Sequence, residues 1–151
     1  CKETGVWITD ARQIPERLAP AAEVVDWSNG VNLADTPFVD HAYAGWSGEA
    51  FLNGGGRRVT LTADAAARWS QVYMPVDADF CCVEPVTHRP DAHHAPAGED
   101  DGLVGLKPGR TLSLTVMIGA VSQVDDYGAP KVERLLARRQ RVVADGERLS
   151  Q

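Results

Sequence analysis

The sequence has few cysteines, and their placement excludes a disulfide framework. Three occur in 151 residues, at Cys1, Cys81 and Cys82. Cys81 and Cys82 are adjacent, so in an extended chain their side chains point to opposite faces and cannot bridge. There is no Cys-x-x-Cys pair from which a cysteine-ligated zinc site usually starts. Free thiols predict a reducing, cytoplasmic location in which the cysteines serve as small apolar side chains.

Long apolar runs and positive charge are also scarce. No stretch approaches the roughly 20 apolar residues of a membrane-spanning helix. The formal net charge is -6 and the pI is near 5.1, whereas a nucleic-acid partner requires a basic stripe. We therefore predict neither a membrane nor a nucleic-acid partner. The chain opens on Cys1 rather than Met, inside strand-like sequence, which predicts a fragment of a longer protein.

Common catalytic and cofactor motifs are missing. The run Gly54-Gly55-Gly56 is not followed by Lys-Ser/Thr, and the next residues alternate like a strand, so it predicts a hairpin connection rather than a phosphate loop. No Gly-x-Ser-x-Gly nucleophile motif occurs. The His- and Asp-rich segment from His88 to Asp101 contains no His-x-His or His-x-x-x-His pair, which disfavours a metal centre. The sequence thus predicts neither a metal nor a cofactor.

The apolar residues occur in short bursts of strand length. Val59, Leu61 and Ala63 alternate with Thr60 and Thr62, and Leu112, Leu114, Val116 and Ile118 alternate with Thr111, Ser113, Thr115 and Met117. Because strand side chains point alternately to two faces, a period of two predicts strands that are buried on one side. A chain of this length suits one domain. These segments predict a mainly β fold.

The C-terminal segment has a different pattern. Apolar residues recur at helical spacing, Pro130 suits a first turn and Gly146 suits a stop, so residues 130–145 are predicted to form an amphipathic helix. Residues 129–151 carry six Lys/Arg against three Asp/Glu. We therefore divide the chain into an acidic body, residues 1–128, and a helical basic tail, residues 129–151, which is expected to dock on the body or on a partner subunit.

Glu84 is the first candidate for a functional acid. It ends a strand-like run in which Cys82, Glu84 and Val86 share a face. A carboxylate among apolar neighbours is costly unless it is paired, and such placement tunes acids for proton transfer. A glutamate at the end of a strand also commonly faces water, and the residue pattern leaves both interpretations open.

Two further polar residues stand in strand-like segments. Asp40 follows a proline-led turn at Pro37, where an aspartate is commonly a cap or turn residue. Gln71 lies between Trp69 and Tyr73 on one predicted strand face. Aromatic rings stack on C–H patches while an amide serves hydroxyl groups, so this face suits a sugar, and it equally suits the edge of an ordinary core.

Four segments resemble, in order, the C-terminal part of the aldose 1-epimerase, or galactose mutarotase, family. They cover about residues 6–119, and the last two are the most specific. The segments are Phe38-Val39-Asp40-His41-Ala42-Tyr43-Ala44-Gly45-Trp46, Trp69-Ser70-Gln71-Val72-Tyr73-Met74-Pro75, Phe80-Cys81-Cys82-Val83-Glu84-Pro85-Val86-Thr87-His88-Arg89-Pro90-Asp91-Ala92, and Gly102 to Ile118.

The resemblance implies a fold, an activity and roles for three residues. It implies part of an antiparallel β-sandwich of the galactose mutarotase supersandwich type. It also implies an isomerase that interconverts the α and β anomers of a free aldose without a cofactor. Glu84 matches the position of the general base in the family. Asp40 and Gln71 match positions whose side chains hydrogen-bond the sugar hydroxyls.

The sequence also departs from the family. In the family the general acid is a histidine of the N-terminal half, which this chain does not contain, and His41, His88, His93 and His94 do not occupy its motif position. Two alternatives therefore remain open, a non-catalytic carbohydrate-binding module and a hexose-phosphate epimerase of the same superfamily. Part of such a sandwich exposes strand edges, so we expect self-association through those edges or through the tail helix.

Overall fold

The computed structural model of the chain describes residues 3–77, 79–96, 98–122 and 131–143. The described residues are mainly β, as the alternating segments predicted, and their strands pair in antiparallel fashion. The described part of the chain contains no helix that is long and apolar enough to cross a membrane. The strands are β1 (Gly5–Thr9), β2 (Pro15–Pro20), β3 (Val39–Ala44), β4 (Glu49–Gly54), β5 (Arg57–Ala63), β6 (Trp69–Met74), β7 (Cys82–Val86), β8 (Thr111–Ser122) and β9 (Lys131–Val143).

One sheet has five strands in the order β2-β1-β3-β6-β7. The inner face of this sheet carries the larger apolar cluster, which includes the buried side chains of Val6, Val39, Tyr43 and Val72. The opposite face carries a second cluster of Trp7, Ala42 and Trp69. Both faces are therefore partly apolar, which explains why the strands of this sheet alternate less cleanly than β8.

The other sheet has four strands in the order β4-β5-β8-β9. The predicted hairpin is confirmed, because Gly54 pairs with Arg57 across a two-residue turn made by Gly55 and Gly56. Both turn glycines have positive φ, 57° and 73°, as a tight hairpin turn requires and as a residue with Cβ rarely adopts. The predicted β8 is also confirmed, with Leu114 buried in a cluster with Trp46 and Ala67.

The predicted C-terminal helix is wrong. Lys131–Val143 forms β9, which pairs with β8 along its whole length, with one irregularity between Ala120 and Val121. A thirteen-residue segment without Gly or Pro can pair its backbone N–H and C=O groups equally well as a strand when a long partner strand is present. This tertiary pairing overrides a weak helical pattern. The predicted boundary between body and tail, at residues 128 and 129, lies outside the described residues.

Candidate functional site

Asp40, Gln71 and Glu84 lie on the same face of three neighbouring strands, β3, β6 and β7, with Asp40 diagonally opposite Gln71. Gln71 pairs directly with Glu84 across the β6–β7 ladder, so both side chains leave the same face of the sheet. The Gln71 amide donates from Nε2 to Oδ1 of Asp40 at 2.8 Å. The three residues that sequence reasoning selected therefore form one continuous set, here called the polar row.

The two acids of the polar row have different surroundings. Asp40 and Gln71 are half-buried, whereas Glu84 is exposed. Its neighbours on the same face, Cys82 and Val86, are half-buried, so Glu84 is the most exposed of the three. Burial among apolar side chains, one of the two interpretations that the sequence left open, is therefore not what the structure shows. Glu84 is available to a ligand that approaches this face.

Three aromatic side chains border the polar row on the side toward the C-terminal end of β6. Tyr73 pairs with Asp40 on one side and with Cys82 on the other, and it stands two residues beyond Gln71 on the same face. The Tyr73 ring packs edge-on to Phe38, with centroids 6.1 Å apart, and lies 6.4 Å from the ring of Phe80. Phe38 is 49% exposed and Phe80 is 54% exposed. We call Phe38, Tyr73 and Phe80 the aromatic platform.

The other end of the row is closed by the segment that follows β7, residues 87–96 and 98–102, here called the return loop. Arg89 of this loop reaches three strand positions across the sheet and places its guanidinium 4.5 Å from the centre of the Trp7 ring on β1. The Arg89 side chain is only 5% exposed and pairs with Glu99 at 3.4 Å. A buried guanidinium that stacks on indole and contacts a carboxylate fixes the loop on the sheet.

Gly102 fixes the far end of the return loop. Its φ is 78°, and a Cβ at this position would lie 2.3 Å from the Trp69 ring and 2.5 Å from the Thr87 carbonyl oxygen. Asp100 of the return loop forms an ion pair with Arg68, which precedes β6. The Arg68 guanidinium also lies 4.7 Å from the centre of the Trp69 ring. The loop thus contacts Trp7 and Trp69, the two tryptophans of the second apolar cluster. Sequence reasoning missed this anchoring because the contacts join residues that are far apart in the chain.

The described histidines do not lie in the polar row. His41 pairs with Val72, on the inner side of the sheet, and its Nδ1 lies 3.1 Å from the Trp7 carbonyl oxygen. His94 is exposed, and a hydrogen bond to Asp91 at 2.5 Å raises the pKa of its imidazole. No group of three or more His, Cys, Asp or Glu side chains among the described residues is arranged to hold a metal ion.

A buried carboxyl group lies on the inner side of the same sheet, and sequence reasoning did not identify it. Glu3 is 7% exposed, its Oε1 accepts a 3.5 Å hydrogen bond from Ser70, and its Oε2 has no partner. Burial raises the pKa of Glu3. Glu3 also lines a cavity of about 310 Å³ that residues of both sheets border, among them Ala50 and Val72. A single glutamate ahead of a strand carries no sequence signal for burial.

Comparison with known proteins gives one partial match. The uncharacterized protein YphB of Escherichia coli strain K12 is 31% identical to this chain over an alignment of 83 positions, and the match covers 49% of the chain and 28% of that protein. The chain therefore spans less than a third of the length of this relative. No protein-family profile and no solved structure matches the chain.

Proposed function

We propose that the polar row belongs to an aldose 1-epimerase of the galactose mutarotase type, and that the two antiparallel sheets are part of its β-sandwich. The observation that carries the proposal is the placement of Asp40, Gln71 and Glu84 on one face of three neighbouring strands. These three residues come from separate segments of the sequence, yet the amide of Gln71 contacts one acid and pairs with the strand position of the other. The row offers a hydrogen-bonding surface to neighbouring hydroxyls next to an accessible base.

Each residue has a distinct part in this reaction. Asp40 and Gln71 accept and donate hydrogen bonds to the sugar hydroxyls and hold the ring over the sheet. Their mutual hydrogen bond orients both side chains before the sugar arrives, which lowers the entropy cost of binding. The Glu84 carboxylate, which is exposed on the same face, takes a proton from the anomeric hydroxyl.

The chemistry is reversible general acid and base catalysis. As Glu84 removes the O1 proton, C1 and O1 become an aldehyde, the bond between C1 and the ring oxygen breaks, and the ring oxygen takes a proton from an acid outside the polar row. Rotation about the C1–C2 bond presents the other face of the aldehyde. The ring oxygen then returns its proton and attacks C1, and Glu84 gives its proton back to O1. Positioned acid and base groups each contribute about 100- to 10,000-fold.

The proposal is tested by exchanging Glu84 for glutamine. Loss of optical rotation of fresh α-D-galactose and α-D-glucose is followed by polarimetry with the purified protein, and aldose affinity is measured by calorimetry. Glu84→Gln should reduce the enzymatic rate at least about 100-fold while sugar affinity stays close to that of the wild type. Glu16→Gln, an exposed glutamate of β2, provides the matched control. Equal rates in wild type and Glu84→Gln would contradict the assignment of the base.

A non-catalytic sugar-binding module is the second candidate. It is favoured by a specific observation, because His41 faces the inner side of the sheet and, within the described residues, no side-chain hydrogen bond or ion pair joins Glu84 to a group that could act as the acid. Under this alternative the protein binds aldoses through Asp40 and Gln71 but does not accelerate mutarotation. Asp40→Asn should then weaken binding, whereas Glu84→Gln should leave both binding and the background rate unchanged.

A further inference from the structure

The cavity of about 310 Å³ that Glu3 borders lies between the two sheets, on the opposite side of the five-stranded sheet from the polar row. Its walls are mainly apolar, and β4, β6, β7 and the connection between β2 and β3 contribute to them. The apolar wall residues include Val31, Leu33, Ala50, Leu52, Val72 and Val83. Val31 and Leu33 are each 40% exposed where they border this space. The cavity therefore offers apolar contacts to a molecule that enters between the sheets.

Glu3 and Trp27 bring two unsatisfied polar atoms to this apolar space. Both side chains line the cavity, and within the described residues neither Glu3 Oε2 nor Trp27 Nε1 makes a hydrogen bond. Tyr43 connects them, because its ring packs edge-on against Trp27 with centroids 5.9 Å apart. Burial, and to a lesser extent the charge of Glu3, raises the pKa of Tyr43 to about 12. Glu3 and Trp27 therefore lie at the same end of the cavity.

The asparagines on the cavity wall are already engaged. The Asn32 amide donates from Nδ2 to Asp35 at 2.7 Å, and Asn53 Oδ1 accepts from Arg58 Nε at 2.9 Å. A buried polar atom without a partner raises the free energy of the folded protein, and a ligand that supplies the partner removes this cost. The polar group of a ligand is therefore expected at the end that Glu3 borders.

Both unsatisfied atoms suit an oxygen acceptor. Burial, together with the charge of Asp26, raises the pKa of Glu3, which favours its neutral carboxyl group. Because Glu3 Oε1 accepts a hydrogen bond from Ser70, the proton of the neutral group belongs on Oε2, where it is available to a ligand. The indole N–H of Trp27 is a donor only. A single carbonyl oxygen carries two lone pairs and satisfies two donors.

The volume and the walls limit the rest of the ligand. A cavity of about 150 Å³ holds one benzene molecule, so a cavity of about 310 Å³ holds roughly ten to twelve non-hydrogen atoms. A sugar carries hydroxyl groups on every side, and most of them would lack partners against apolar walls. The volume and the wall chemistry thus favour a compact hydrocarbon body with one polar group.

We propose that the cavity between the sheets binds a small, mostly apolar, uncharged molecule through one carbonyl oxygen, which accepts hydrogen bonds from Glu3 and Trp27. The site faces away from the polar row, so it does not depend on the proposed function. It gives a role to two buried polar groups that the epimerase chemistry does not use.

The test compares three probes of about the same size: 1-indanone, which has a carbonyl oxygen, indane, which lacks it, and 1-aminoindane, which is a cation. Calorimetric titrations are made at pH 4.5, where a glutamate whose pKa is raised above 4.5 is mostly neutral. We expect the wild type to bind 1-indanone more tightly than 1-aminoindane. Trp27→Phe should weaken 1-indanone binding about 3- to 10-fold and should not weaken indane binding.

Three further variants serve as controls. Trp7→Phe removes an indole N–H on the opposite face of the sheet and should leave 1-indanone affinity unchanged. Glu3→Gln still offers a donor through its amide and should also retain that affinity. Ala50→Leu fills part of the cavity from the buried wall of β4 and should abolish binding of 1-indanone.

The outcomes separate this site from the proposed function. Absence of 1-indanone binding by the wild type would show that the cavity holds water only and would overturn the proposal. Unchanged binding in Ala50→Leu would place the probe elsewhere and would also overturn it. Tighter binding of 1-aminoindane than of 1-indanone, lost in Glu3→Gln, would assign the cavity to a cation instead. Competition between galactose and 1-indanone would overturn a site that is separate from the polar row. None of these outcomes alters the polarimetric test of Glu84→Gln.

Discussion

Among single residues, Gln71 is the centre of the site because it separates two carboxylates. Its Nε2 donates to Asp40, and its strand position faces Glu84. An amide between two acids reduces their mutual repulsion and still offers Oε1 to a ligand. The two acids therefore lie on one face of the sheet with an amide between them.

Glu3 provides a pH-dependent test of the fold. Because burial raises its pKa above the ordinary 4.5, the folded state binds the proton more tightly than the unfolded state. The stability that this proton contributes is complete below pH 4.5 and is lost as the pH rises through the raised pKa. The free energy of unfolding of Glu3→Gln, relative to wild type, should therefore increase from pH 4 to pH 7.

Urea denaturation followed by tryptophan fluorescence at pH 4, 5, 6 and 7 measures this difference. Glu16→Gln, which removes an exposed carboxylate, should show a smaller dependence on pH. A stability difference between Glu3→Gln and wild type that is constant over this range would show that Glu3 ionises as freely as a surface residue.

Among the elements, the return loop has the most demanding geometry. Gly102 combines a positive φ with immediate contact to Trp69 and to the Thr87 carbonyl oxygen. Gly102→Ala should lower the free energy of unfolding by about 2–3 kcal/mol, because a Cβ requires both backbone strain and displacement of a packed ring. Gly105→Ala is the control, since a Cβ there meets nothing within 4 Å.

Thermal and urea denaturation of the two glycine variants test this prediction. Hydrogen exchange of the β7 amides gives a second measurement, because loosening of the return loop is expected to increase exchange in the strand that precedes it. Similar stabilities of Gly102→Ala and Gly105→Ala would show that the loop accommodates a methyl group and is not packed as described.

The sequence predicted the elements that depend only on residues close together in the chain. Gly55 and Gly56 supply the φ values that the hairpin needs, and the alternation of β8 follows directly from one-sided burial. The helix prediction for residues 130–145 failed because the partner of β9 is a long neighbouring strand, which a periodicity does not reveal. The contact between Asp40 and Gln71 and the stacking of Arg89 on Trp7 depend on strand order, so residue spacing alone could not predict them.

For the whole molecule, the exposed apolar surface predicts self-association. Phe51 and Met117 are 49% and 44% exposed, and their pairing with Thr60 and Thr62 of β5 places them on one face of the four-stranded sheet. In the five-stranded sheet, β2 and β7 each pair on one side within the described residues. Apolar patches and open edges of this kind favour association between chains.

Sedimentation velocity at several protein concentrations measures this association. We expect a concentration-dependent shift to larger species in the wild type. Phe51→Lys should reduce the shift, because a lysine introduces charge and hydration on an exposed strand. Thr111→Lys, an exposed position at the start of β8, adds the same charge away from the patch. A wild type that sediments as a monomer at all concentrations would contradict the prediction.

The stacking of arginines on tryptophans gives the molecule an internal optical signal. Of the four tryptophans in the chain, Trp7 lies beneath the guanidinium of Arg89 and Trp69 beneath that of Arg68, so two indoles report the electrostatic field at the closed end of the polar row. Movement of the return loop removes a positive charge from an indole face and changes its emission. Intrinsic fluorescence therefore reports how the return loop packs on Trp7 and Trp69.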